Sequence, residues 1–140
     1  MGDSYTFCQD VNYEDSWGYH LERQFGGTAQ VLNFGVPGYG IDQAYLRYLR
    51  EVRTWRPDVV ILAFISHDVL RTTMVYYAVS FPSSRLPGAK PRFVLKDDRL
   101  TLLNKPLPSY ETVVRTQAVE GLPFVEYDKG YRPSDWCAHW

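Results

Sequence analysis

The sequence predicts a three-layer α/β domain built on a mainly parallel sheet. Two observations carry that expectation. Residues 15–68 read as helix, strand, helix, strand, because stretches with a helical apolar stripe alternate with short unbroken apolar runs. This is the rhythm of βαβ units, in which a helix returns the chain to the start of the next strand. The run Val59-Val60-Ile61-Leu62-Ala63-Phe64 also lacks polar alternation, as suits a strand covered by helices on both faces.

Taken in order, residues 5–13 have no clear period and read as a loop. Asp15 or Ser16 can cap a helix whose Trp17, Leu21 and Phe25 recur every four residues. Gly26-Gly27 stops it. Residues 29–34 read as a short strand leading into a glycine-rich loop, residues 35–40. Asp42 is suited to N-cap the next helix, with Tyr45, Leu49 and Val52 as its buried stripe and Arg47, Arg50 and Arg53 elsewhere on its surface. Pro57 ends that helix. After residues 59–64 the pattern loosens. Residues 69–79 are apolar and fit a short helix or an irregular wall, and residues 81–91 fit a loop. Residues 92–104 read as a hairpin turning at Asp97-Asp98, with Phe93 and Leu95 alternating on one arm and Leu100 and Leu102 on the other. Ser109 caps a short helix over residues 110–120, closed by Gly121. Residues 122–127 read as a last short strand and residues 128–140 as a polar and aromatic tail.

At 140 residues the chain is expected to form a single domain, residues 1–140, with one core. Hydrophobic residues make up 45% and charged residues 22%, a globular balance rather than a disordered one. A net charge of −1 points to no nucleic-acid partner. No apolar run reaches the length of a membrane span, and no signal peptide is read. Compartment and oligomeric state stay open. Cys8 and Cys137 have neither framework nor metal-ligand spacing and read as free thiols. The histidines, His20, His67 and His139, are far apart in sequence, so no metal site is expected. Met1-Gly2 with Thr6 fits the bare myristoylation pattern, but the same residues are better used as a turn that presents Ser4. The aromatic content of 16% reads as packing ahead of a sugar-binding platform.

Three stretches bear on chemistry: Met1-Gly2-Asp3-Ser4, Asn33-Phe34-Gly35-Val36-Pro37-Gly38-Tyr39-Gly40 and Phe64-Ile65-Ser66-His67-Asp68. Together they resemble the first three sequence blocks of the SGNH/GDSL hydrolases, a family of serine esterases and acyl hydrolases. The resemblance implies a flavodoxin-like parallel sheet, here reduced in strand number and carrying a β-hairpin insertion. It also implies that the chain lacks that fold's first strand and its C-terminal helix.

In the resemblance Ser4 is the nucleophile, which needs a base to take its proton. Its backbone N–H and that of Gly35 form the oxyanion hole, where a glycine leaves a backbone donor unobstructed. The family usually carries Gly-x-Asn-Asp in its third block, and His67 stands here in place of the asparagine. An imidazole N–H can also donate a hydrogen bond. The family's base and orienting acid come from Asp-x-x-His. Asp135-Trp136-Cys137-Ala138-His139 is one residue longer, and gives Asp135 and His139 those roles. The implied activity is hydrolysis of carboxylic esters, with a small acyl or acylated sugar substrate and no cofactor. The alternatives are a catalytically impaired module that binds acyl groups or sugars, and an inactive fragment.

Overall fold

Local hydrogen bonding explains the first helices. The Asp3 carboxylate accepts from Tyr5 N at 3.0 Å and caps α1, Ser4–Phe7. Ser16 Oγ accepts from Tyr19 N at 3.4 Å and caps α2, Trp17–Gln24, so that of the two caps the sequence offers, Asp15 and Ser16, the serine is used. After α2 the chain turns through Gly26 and Gly27 at φ +59° and +81°, a backbone state in which a β-carbon is strained. The computed structural model describes residues 1–84 and 88–131, and these fall into two compact units, Met1–Val69 and Leu70–Trp140.

In the first unit α3 spans Ile41–Arg50, followed by a 3₁₀ turn over Val52–Trp55. Its cap is Gly40 rather than Asp42, and the Gln43 side chain accepts from Gly40 N at 3.2 Å. Asp42 lies in the first turn, buried, with its carboxylate on Gln43 N at 2.9 Å. The inward face carries Asp42 and Ala44, and Val52 is buried in the turn that follows, whereas Tyr45 is 48% exposed. Starting the helix at Ile41 turns the small Ala44, not the ring of Tyr45, toward the interior. The last helix of this unit, α4, Ser66–Arg71, crosses the boundary between the two units.

The expected three-layer, mainly parallel, flavodoxin-like sheet is not formed. Among the described residues the ladder is limited to two antiparallel strands, and parallel pairing to a single bridge between Gly2 and Gly35. Residues 29–34 and 59–64 are not strands. Val59 is 76% exposed, Ile61 50% and Phe64 56%, so the run read as doubly covered lies in water along much of its length. An apolar run becomes a strand only where another backbone pairs with it, and among the described residues the run 59–64 is paired only at Ile61 and Ala63, both with Met1.

The second unit opens with α5, Tyr77–Ser80. It contains the hairpin, β1, Arg92–Lys96, paired with β2, Arg99–Leu103, in the register Phe93–Leu102 and Leu95–Leu100. Asp97 and Asp98 turn it at φ 49° and 55°, the left-handed pair that a two-residue hairpin needs. Ser109 caps α6, which is shorter than the sequence suggests, Tyr110–Arg115. The core of this unit is Val75, Tyr76, Val79, Val113 and Val125, with Ala89, Val119, Leu122 and Tyr131 against it.

The expected strand over residues 122–127 is replaced by a 3₁₀ turn, Val125–Tyr127, entered through Phe124 at φ 64°. A neighbouring strand would have taken the buried N–H groups of Val75 and Tyr76. One Asp128 carboxylate oxygen accepts both, each at 2.8 Å. Nearby, Lys90 is buried with its Nζ donating to the Met74 and Pro91 carbonyls at 3.3 and 3.0 Å. Asn104 closes the base of the hairpin, donating to Lys90 O at 2.6 Å and accepting from Arg92 N at 3.2 Å.

Candidate functional site

The three stretches singled out in the sequence lie in the first unit, and backbone hydrogen bonds join the first to the second and to the run that leads into the third. Met1 N donates to Ile61 O at 2.8 Å, and Ala63 N donates to Met1 O at 3.0 Å. On the other side Val36 N donates to Gly2 O at 3.0 Å, within the parallel bridge between Gly2 and Gly35. The chain then leaves this slot through Asp3 into α1, whose first residue is Ser4.

Two glycines make the junction possible. A β-carbon on Gly2 would run into Thr6 Oγ1 and Ala63 O. One on Gly35 would run into Phe7 N and sit 2.7 Å from the Thr6 carbonyl carbon. Gly35 is therefore pressed against the one-turn helix that Ser4 opens. Two side chains tie the same helix down. Trp17 Nε1 donates to Thr6 O at 2.9 Å, and Asn33 Nδ2 donates to Thr6 O at 2.8 Å.

Ser4 is half-buried, and its hydroxyl makes no hydrogen bond to another described residue. Gly35 is buried, and its N–H donates to Asn33 Oδ1 at 2.9 Å. His67 is exposed on the first turn of α4, while the buried carboxylate of Asp68 accepts from Ile65 N at 2.9 Å. Asp135 and His139 lie outside the described residues, as does Cys137. Cys8 is a free thiol, as read. Backbone pairing thus holds the Gly35 loop and the run up to Ala63 beside the residues that lead into α1.

A shallow hollow borders this junction, lined by Asp3, Tyr39, Ala44, Leu62, Phe64 and Asp68 among others, with about 150 Å³ of empty space that includes its open mouth. The amine of Met1 is held below its usual value of 8.0, first by burial and then by the charge of Arg47. Among the described residues no group of three or more His, Cys, Asp or Glu side chains is placed to hold a metal ion. No helix among them is long and apolar enough to cross a membrane.

Sequence reasoning missed Asn33 as the partner of the Gly35 N–H. The signal available was Asn-x-Gly, since an asparagine side chain often accepts a backbone N–H two residues on. No protein-family model, no curated protein and no solved structure matches the chain.

Proposed function

We propose that this chain is a serine-dependent esterase acting on a small or carbohydrate-borne acyl group. Ser4 Oγ attacks the ester carbonyl while His139 takes its proton and Asp135 orients the imidazole. The tetrahedral oxyanion is held by the N–H groups of Ser4 and Gly35 and by the His67 side chain. The proton returns to the departing alcohol, leaving an acyl-serine. Water, deprotonated by the same histidine, then releases the acid and restores Ser4.

The single observation that supports this reading is the paired backbone at Met1 and Gly2. It joins the Gly-Asp-Ser stretch to the Gly35 loop on one side and to the approach to His67 on the other. A second reading, a catalytically impaired module that binds acyl groups or sugars, is favoured by one detail. The Gly35 N–H, a donor the oxyanion needs, is taken by Asn33 Oδ1.

The test is hydrolysis of p-nitrophenyl acetate by the 140-residue chain, beside Ser4→Ala and His139→Ala. The expected outcome is a loss of roughly 10³-fold or more in kcat/KM for each. Activity unchanged by Ser4→Ala overturns the esterase reading. Saturable binding of an acyl ester without turnover moves the assignment to the second reading.

A further inference from the structure

Asn33 spends both ends of its carboxamide on one junction. Its Nδ2 donates to Thr6 O at 2.8 Å and, more weakly, to Phe7 O at 3.5 Å, while its Oδ1 accepts from Gly35 N at 2.9 Å. We infer, resting on the esterase reading, that Asn33 is a positioning residue. It clamps the single helical turn that carries Ser4 to the Gly35 loop, and so sets how Ser4 meets the Gly35 N–H.

The need for a clamp follows from the length of α1. It has four residues, and a single turn does not hold its shape alone in water. Its internal bonds run from Phe7 N to Asp3 O at 3.0 Å and from Cys8 N to Ser4 O at 3.1 Å. The last carbonyls of a helix have no partner inside it. Thr6 O and Phe7 O are two of these, and side chains from elsewhere take both. Trp17 Nε1 reaches Thr6 O at 2.9 Å and ties the turn to α2. Asn33 reaches the same oxygen and ties the turn to the Gly35 loop. Past the turn the chain leaves through Cys8 at φ 62°, so no further helix steadies it.

A carboxamide suits this place because it has one donor end and one acceptor end. Turned over, it would set oxygen against Thr6 O and N–H against Gly35 N–H, so the network permits one orientation. The same contact bears on turnover. The Gly35 N–H that the oxyanion needs is held by a neutral amide oxygen, which an arriving negative oxygen outcompetes while Nδ2 keeps Thr6 O. An aspartate at this position would repel Thr6 O, grip the Gly35 N–H through a charge-assisted bond and set a negative charge beside the oxyanion. An alanine would lose the clamp but leave the N–H free. The two variants therefore separate positioning from local support. Asn33 is exposed, so neither substitution opens a cavity in the core.

The experiment compares the full 140-residue chain with Asn33→Ala and Asn33→Asp, by amide hydrogen exchange and by kcat and KM for p-nitrophenyl acetate. In Asn33→Ala, exchange at Phe7 and Cys8 should quicken roughly two- to tenfold, the effect of one lost hydrogen bond. Exchange at Gln43 and Ala44, whose N–H groups bond to Gly40 O at the start of α3, should not change. The kcat should fall by a similar factor with KM little altered. In Asn33→Asp the Gly35 amide should stay protected while kcat falls further than in Asn33→Ala. Unchanged exchange at Phe7 and Cys8 in both variants overturns the inference, whatever the activity of the chain. So does Asn33→Asp at least as active as Asn33→Ala, which reduces Asn33 to local support. A parent chain without turnover, in which exchange at Phe7 and Cys8 still depends on Asn33, removes the esterase reading alone and upholds the clamp on α1.

Discussion

Val59 and Val75 are the same residue in opposite situations. Val75 is 0% exposed and its N–H is bonded to Asp128, while Val59 is 76% exposed and its N–H bonds to no described residue. Burying a valine is worth about 1.5–3 kcal/mol relative to leaving it in water. That gain is realised in the second unit only because a carboxylate removes the cost of burying the backbone beside it. In the first unit the N–H groups of residues 59–62 have no such partner among the described residues. Apolar side chains alone do not decide where a core forms; the partner of the adjacent N–H does.

The comparison breaks most directly at Asp128. Asp128→Ala leaves the N–H groups of Val75 and Tyr76 buried without an acceptor, at about 1–3 kcal/mol each. Urea unfolding of the second unit should shift to markedly lower denaturant, and exchange at both amides should accelerate. Asp128→Asn, which keeps an acceptor oxygen, should lose less. Unchanged exchange at Val75 in Asp128→Ala would show that the closure of this core does not depend on the carboxylate.

A smaller effect is expected at Tyr76, whose hydroxyl donates to Pro123 O at 2.8 Å. Its phenol is pushed up to about 12, first by burial and then by the charges of Glu126 and Asp128. The folded chain keeps this proton over a range in which the unfolded chain, near 10, loses it. The stability it supports is therefore full below about pH 10 and declines as pH rises toward 12. Tyr76→Phe should cost about 1 kcal/mol at neutral pH and flatten that decline. Denaturant midpoints between pH 8 and 11 check both.

The smallest effect belongs to the open edge. Val59→Thr should change stability by less than about 0.5 kcal/mol, because the side chain is in water already. Light scattering should show slower aggregation, since a polar residue blunts an exposed apolar edge. A loss comparable to that of Asp128→Ala would mean that Val59 is buried in solution.

What the sequence made legible was local. The Ser16 cap of α2, the Ser109 cap of α6 and the Asp97-Asp98 turn each depend on atoms a few residues apart, and each is found as read. The parallel sheet was not legible, because residues 59–64 need a distant backbone that their own composition does not supply. Asp128 was missed as part of a polar tail, although Asp-x-Gly marks a side chain that accepts from its own second neighbour, here Gly130 N at 2.8 Å. The candidate site was legible as three motifs. Gly2 and Gly35 were expected in a turn and a loop, and both turn out to be packing positions where no β-carbon fits.

The buried position of Lys90 gives the molecule an internal clock for covalent labelling. All four lysines fall after residue 69, and Lys96, Lys105 and Lys129 are exposed. An acylating reagent should modify those three quickly and reach the Lys90 amine only when the second unit opens. A time course by mass spectrometry thus reads one slow amine against three fast ones, and the slow rate reports the opening of the second unit.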